Sequence, residues 1–266
     1  MGINYKKTYK PAKGYTPICK IGECTLKMLE FGIIMLDAGE SVNFSTEDKE
    51  TAFIMLEGHC SVLFDEVKWE HVGNRSTVFE NRKAESFYMP RDMQLTILAE
   101  DAVKIAVCAT PVSVKTAPQL LKEDHVVLKL LGEQPYQRKT SFIIDQNSNA
   151  KVLTIGEAYV TPGNWAGFPP HKHDEDNMPK ECIAEEIYYF LFNPSQGFAV
   201  QCLYTANGEI DEAYRVKQDE LVEFPKGYHT TVSIPGYETY FLWLMAGEYQ
   251  GFNRSNDPDH EWILKK

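Results

Sequence analysis

No stretch of the chain approaches the roughly 18 consecutive apolar residues of a membrane-crossing helix, so no membrane partner is expected. The opening residues, Met1 to Lys10, are polar, carry Lys6, Lys7 and Lys10, and lack the apolar centre of a signal peptide. Positive charge is scarce: 27 Lys and Arg face 38 Asp and Glu, a formal net charge of −11. That balance argues against a general nucleic-acid or anionic-membrane partner. An acidic substrate would need a local basic pocket to offset the field. Paired cysteine motifs are missing too. Cys19, Cys24, Cys60, Cys108, Cys182 and Cys202 form no C-x-x-C, and in a chain this long they read as reduced thiols of a cytoplasmic protein. Apolar residues are plentiful, at 43% of 266 residues, enough for a packed core in one large domain or two ordinary ones.

What the chain does contain is a series of short β-type runs set off by turn residues. In the first half they cover 31–36, 51–56, 60–64, 86–89, 95–98 and 103–108, with Asp37-Ala38-Gly39 and Glu57-Gly58 as turns. This spacing predicts an all-β sandwich or barrel. Residues 1–30 show little periodicity. Residues 111–124 mix Pro118 with Lys and Glu and read as a linker, with a short helix around 119–122. From Gln137 the β pattern resumes, over 141–144, 151–160, 185–192, 198–204, 211–216, 220–224, 229–234 and 239–245. Two domains are therefore expected, 1–124 and 125–266.

The chemistry concentrates in the second half. In Pro169-Pro170-His171-Lys172-His173 the two histidines are at i and i+2, and on a strand they project to one face. Glu186 heads the aromatic run Ile187-Tyr188-Tyr189-Phe190, and His229 follows Pro225-Lys226-Gly227-Tyr228. A lone H-x-H is a weak signal. Here a carboxylate and a third histidine accompany it, and an unpaired carboxylate buried among aromatics would be costly. Three nitrogens and one oxygen suit Zn, Mn, Fe, Co or Ni better than Ca or Mg. The halves form an imperfect repeat, in which 51–56 aligns with 186–191 and Tyr88-Met89-Pro90 with Glu223-Phe224-Pro225. In that register Thr51 takes the place of Glu186 and Gln94 that of His229. The first half thus keeps the strands without the ligands, as a structural half or a second binding surface.

H-x-H, then Glu before an aromatic strand, then Pro-x-Gly-x-His resembles the two motifs of the cupin superfamily. The resemblance implies a double cupin, two tandem jelly-roll β-barrels with few short helices. About a dozen residues separate His173 from Glu186, more than the generic motif has. That insertion, with Asp176-Asn177, Glu185-Glu186, Tyr188-Tyr189, Gln196-Gly197-Phe198, Met245-Ala246-Gly247 and Asn256-Asp257-Pro258, resembles the 5-deoxyglucuronate isomerase family of myo-inositol catabolism. Members convert an open-chain aldehyde acid, 5-deoxy-glucuronate, to the keto acid 5-dehydro-2-deoxygluconate. A related isomerase of pectin breakdown shares the ligand set. The resemblance implies that His171, His173, Glu186 and His229 bind a divalent metal, zinc first and Mn or Fe next. It also implies a small sugar-acid substrate and a homodimer.

Such chemistry needs a proton shuttle and a carboxylate anchor. Tyr188 shares the inward face with Glu186. Asp174 sits on the inserted loop, and Lys226 and Tyr228 adjoin His229; Lys172 alternates away from the metal face. Catalytic candidates are Tyr188, Lys226 and Asp174, and Gln201, Tyr228 and Arg254 are candidates for holding substrate. His59, His71, His125 and His260 read as surface or packing residues. Two arginines common in the family are replaced, by Cys202 and Gln250, and Trp243 stands where Asn is common. Arg254 and Lys226 are the remaining anchors. The alternatives are an isomerase of another uronate or keto-sugar acid, a bicupin dioxygenase, or a non-catalytic sugar-binding cupin.

Overall fold

The computed structural model describes residues 3–80 and 82–265. Runs rich in β-branched and aromatic residues become strands, as their packing on a pleated surface requires. In chain order these are β1 (Lys6–Thr8), β2 (Gly14–Cys19), β3 (Glu30–Leu36), β4 (Ser41–Ser45), β5 (Lys49–Phe64), β6 (Val67–Arg75) and β7 (Ser86–Met89). Next come β8 (Gln94–Ala99), β9 (Val103–Pro111), β10 (Gln119–Leu121), β11 (Val127–Leu131), β12 (Arg138–Ile144), β13 (Thr154–Val160) and β14 (Trp165–Lys172). The last are β15 (Ala184–Asn193), β16 (Phe198–Tyr204), β17 (Asp211–Lys217), β18 (Glu220–Phe224), β19 (Tyr228–Ser233), β20 (Glu238–Gly247) and β21 (Ser255–Asn256). Among the described residues the helical content is one 3-10 turn, Glu261–Lys265. No helix among them is long and apolar enough to cross a membrane. The fold is all-β, as expected.

Two compact units divide the chain, one of residues 10–127 and 142–155, the other of residues 3–9, 128–141 and 156–265. In the first, β5 pairs with β9 and β7 along its first half, then with β6 and β8. The turn expected at Glu57-Gly58 is instead a bulge inside this strand, between Met55 and Glu57 of the β9 register. Gly58 has φ +79°, and a Cβ there would lie 2.1 Å from the Ala102 carbonyl oxygen, so the bend needs glycine. Inside, Phe53 stacks on Phe87 at 4.5 Å amid Ile34, Met55, Val62 and Ile105. This interior is filled by apolar side chains.

In the second unit β1, β18, β15, β20, β13, β12 and β11 form one sheet in that order, and β17, β16, β19, β14 and β21 form another. Residues read as a featureless lead-in supply β1, which pairs antiparallel with β18. The expected helix at 119–122 is strand β10, because Gln119, Leu120 and Leu121 pair with Tyr88, Phe87 and Ser86. One pair corrects the expectation of six free thiols. The chain turns tightly after β2, with Cys24 N donating to Lys20 O, and Cys19 and Cys24 are disulfide-bonded with Cα atoms 5.5 Å apart. Cys60, Cys108, Cys182 and Cys202 are free.

Candidate metal centre

His171 lies near the end of β14 and pairs directly with His229 of β19. Directly opposed residues share a face, and the two rings are 4.4 Å apart between centroids. Glu186 enters from the other sheet, opposite Met245 of β20 and Phe224 of β18. A nitrogen of His171, a nitrogen of His229 and an oxygen of Glu186 all lie within 4.8 Å of one another. His173, just past β14, places Nε2 2.9 Å from Glu186 Oε2, and His229 Nε2 is 3.0 Å from the same oxygen. All four side chains are buried.

The rings are held in one orientation by backbone carbonyls. His171 Nδ1 faces Gly167 O at 3.3 Å, His173 Nδ1 faces Ala184 O at 2.7 Å, and His229 Nδ1 faces Gly227 O at 3.2 Å. A carbonyl can only accept, so each Nδ1 carries a hydrogen and Nε2 is the nitrogen each ring turns inward, where a cation could take it. Burial, aided by the Arg254 charge, holds His171 well below the ordinary imidazole pKa. Burial also lowers His229. At His173 burial acts the same way, but the contact with Glu186 outweighs it and raises the pKa. Burial pushes Glu186 upward, yet the His173 and His229 contacts prevail and lower it. The result is an anionic oxygen ringed by imidazole nitrogens. Glu186 Oε1 is buried with no hydrogen-bond partner, and His229 Nε2, though 3.0 Å from Glu186 Oε2, makes no aligned hydrogen bond, an arrangement a cation would complete and a purely structural cluster would leave costly. The donor set fits a divalent transition metal.

Gly167 is part of this device. It has φ +66°, and a Cβ there would lie 3.0 Å from His171 Cε1. Gly167→Ala is therefore expected to turn the ring and lower metal affinity about 10- to 100-fold, the range for losing a group that orients a ligand. Chelator competition checks this, and unchanged affinity would show that His171 needs no such support.

Alternation sorts the remaining candidates. Tyr188 is on the inward face with Glu186; its ring stacks on Phe241 at 4.4 Å and stands 5.8 Å from that of His229. Lys172 points the other way, to Asp174 at 2.6 Å, Glu175 at 2.7 Å and buried Glu181 at 3.0 Å. Asp174 also accepts from Gly227 N at 2.8 Å. Lys226 pairs with exposed Glu209 at 2.8 Å, and the Tyr228 ring lies 5.6 Å from that of Tyr204. Asp174, Lys226 and Tyr228 thus line a separate cavity of about 290 Å³ with Lys172 and Glu209. Gln201 is wholly buried. Its Nε2 donates to Thr230 O at 2.9 Å and its Oε1 accepts from Thr231 Oγ1. Arg254 reaches the metal pocket, with Nη1 3.4 Å from His171 Nε2 and its guanidinium 4.9 Å from the Phe252 ring centre. His59, His71 and His125 sit beside Asp101, Glu100 and Asp124, and His260 is exposed.

The KduI/IolB family model matches residues 5–263. The chain belongs to this family. It is 35% identical over 235 residues to a 5-deoxy-glucuronate isomerase of Geobacillus kaustophilus, covering 88% of this chain and 85% of the relative. The crystal structure of an IolB-like protein from Salmonella typhimurium superposes with a TM-score of 0.94 at 29% identity, covering 98% of this chain and 99% of that one. Oxalate decarboxylase of Bacillus subtilis shares the fold alone, with a TM-score of 0.63 at 14% identity, covering 96% of this chain and 80% of that one.

The resemblance leads one to expect an arginine at the position of Cys202. Leu203 pairs with His229, so Cys202 lies on the opposite face. An arginine there would point away from the metal pocket, and its absence leaves the pocket's charge unchanged. A basic residue that sequence reasoning passed over is Arg138, at the start of β12 and 7% exposed. The strand had been expected to begin at Ser141, which left Arg138 in a loop. The alternation Arg138-x-Thr140 leading into that run was the available signal.

Proposed function

We propose that this chain is an aldose–ketose isomerase acting on 5-deoxy-glucuronate, with a divalent transition metal held by His171, His173, Glu186 and His229. The observation that carries the reading is the convergence of three imidazole nitrogens on one buried carboxylate, in a chain of the KduI/IolB family. Zinc is the first expectation for three nitrogens and one oxygen, with Mn or Fe next. Bound there, the metal would supply Lewis acidity to the carbonyl and hydroxyl oxygens of the open-chain sugar.

The reaction is redox-neutral overall. One proton leaves the carbinol carbon beside the aldehyde and one is returned to the former aldehyde carbon. The hydroxyl proton passes to the former aldehyde oxygen, so substrate and product hold the same atoms. Tyr188 suits the oxygen side of this transfer. Its hydroxyl has no hydrogen-bond partner among the described residues. Burial first, and then the charge of Glu186, raises its pKa well above the ordinary phenol value. It therefore stays protonated at neutral pH and can donate to the oxygen where negative charge develops. Phe224, Phe241 and Trp243, all buried, exclude water from this side.

Tyr188→Phe is expected to lower kcat about 100-fold, the usual scale for one positioned proton donor, with bound metal unchanged. A kcat equal to wild type would remove Tyr188 from the mechanism. The reading itself is tested by following 5-deoxy-glucuronate by NMR beside an oxygen electrode. Ketose formation without oxygen uptake is the expected outcome. Oxygen consumption would favour the dioxygenase alternative, and stoichiometric binding without turnover the non-catalytic one.

A further inference from the structure

The candidate metal pocket contains two guanidinium groups with no carboxylate of the described residues in hydrogen-bond or ion-pair contact; the Glu186 charge acts on Arg254 only from a distance. Ser141 Oγ donates to Glu157, which also accepts from Tyr240. Tyr240 lies on the face of β20 opposite to Trp243, and Trp243 pairs directly with Tyr188. Ser141 is thus on the outer face of β12, and Arg138 and Thr140 are on the inner face with Trp243, Tyr188 and Glu186. The Arg138 side chain has no hydrogen-bond or ion-pair partner among the described residues. Thr140 Oγ1, on the same face, is buried without a partner. Arg254 rests on Phe252, and its one polar contact is with the inward nitrogen of His171. Arg254 touches His171, and the strand order β15-β20-β13-β12 turns Arg138 to the same face as Tyr188; the two guanidinium charges act on each other and on His171 and Tyr188. Burial, then Arg254, lowers Arg138 to about 10, so it remains charged at neutral pH.

A chain with a net charge of −11 has carboxylates to spare. It uses them elsewhere: Lys172 is held by Asp174, Glu175 and Glu181, and Lys49 by Glu30, Glu47 and Asp48. Buried guanidinium left without an anion is costly, and the planar fork matches a carboxylate in bidentate fashion. We propose that Arg138 and Arg254 together bind the carboxylate of the substrate and make the pocket selective for sugar acids over neutral sugars. The proposal rests on the isomerase reading above and adds the residues that decide its substrate class. Thr140 Oγ1 is then available to a sugar hydroxyl.

The test compares wild type, Arg138→Met, Arg138→Lys and Arg254→Met, each first checked for fold and metal content. KM and kcat are measured on 5-deoxy-glucuronate and on 5-deoxyglucose, in which a hydroxymethyl group replaces the carboxylate. The ratio of kcat/KM for acid over neutral sugar is expected to fall about 100-fold in Arg138→Met, as when one partner of a buried charge pair is truncated. The change should fall mainly on KM for the acid. Lysine should restore only part of it, because a point charge lacks the fork. An unchanged ratio in folded, metal-loaded Arg138→Met overturns the proposal and leaves the isomerase reading intact. If Arg138→Met does not fold, Arg254→Met gives the same reading. If wild type turns over neither sugar, the isomerase reading fails and calorimetry with D-glucuronate and D-glucose decides. Loss of D-glucuronate binding in the variants then supports the anchor, and equal binding overturns it.

Discussion

Glu186→Gln is expected to abolish metal retention and reduce turnover by at least about a thousand-fold, the scale on which a preorganised charge acts in a dry site. The substitution preserves shape and removes the one negative charge among the four proposed ligands. The carboxylate is wholly buried and touches His173 and His229 through a single oxygen, with the other oxygen unpartnered. An amide there would offer a hydrogen-bond donor where a cation has to sit. The fold should survive, since a neutral amide is easier to bury than a charge. Elemental analysis, circular dichroism and the isomerase assay together check this. Retained metal with retained turnover would mean that Glu186 is not a ligand.

The second large effect falls on stability. Glu50 is wholly buried, and its carboxyl oxygens accept from Lys151 N, Val152 N and Leu153 N at 2.8 Å each and from Tyr88 Oη at 3.0 Å. Glu50→Ala would leave three backbone donors without an acceptor, each costing about 1–3 kcal/mol when it stays buried. With partial rescue by water, the expected loss is about 4 kcal/mol. For a chain of this size that is roughly 10 °C in melting temperature. Glu50→Gln, which keeps one acceptor oxygen, should recover part of the loss. Chemical denaturation measures both, and wild-type stability in Glu50→Ala would refute the assignment. In the internal repeat Glu50 aligns with Glu185, beside the Thr51 that aligns with Glu186. The corresponding carboxylate of the first half thus serves to hold a chain segment, and the interior beside it is filled by Phe53 and Phe87.

Many strands were legible from their apolar runs. The runs at Ser86–Met89, Phe198–Tyr204 and Glu220–Phe224 have the bounds expected from alternation alone. Ser41–Ser45 and Val67–Arg75 were missed because most of their residues are polar or glycine and much of each strand is exposed. Gln119–Leu121 carries no strand signal of its own. It is a strand through its pairing with Ser86–Met89, a tertiary effect that local propensity does not encode.

The same physics governed the site. His171, His173, Glu186 and His229 come together as expected, because period-two geometry and short motifs aim these side chains of both sheets into one interior. Asp174, Lys226 and Tyr228 were drawn in by being near the ligands in sequence. Lys172 and Tyr228, next to His171 and His229, turn to the opposite face by alternation, and Asp174 follows Lys172 into the cavity there. Arg138 was passed over for the converse reason. It is 33 residues before His171, and only the order of strands across the sheet brings it to the pocket.

The most direct test of the central claim is the metal content of the purified wild-type protein, measured beside conversion of 5-deoxy-glucuronate before and after chelation. The account predicts close to one transition-metal ion per chain, conversion to the ketose, loss of both on chelation, and recovery of both when the ion is restored. Full turnover in protein stripped of metal, or no binding of any divalent transition metal after supplementation, would contradict it.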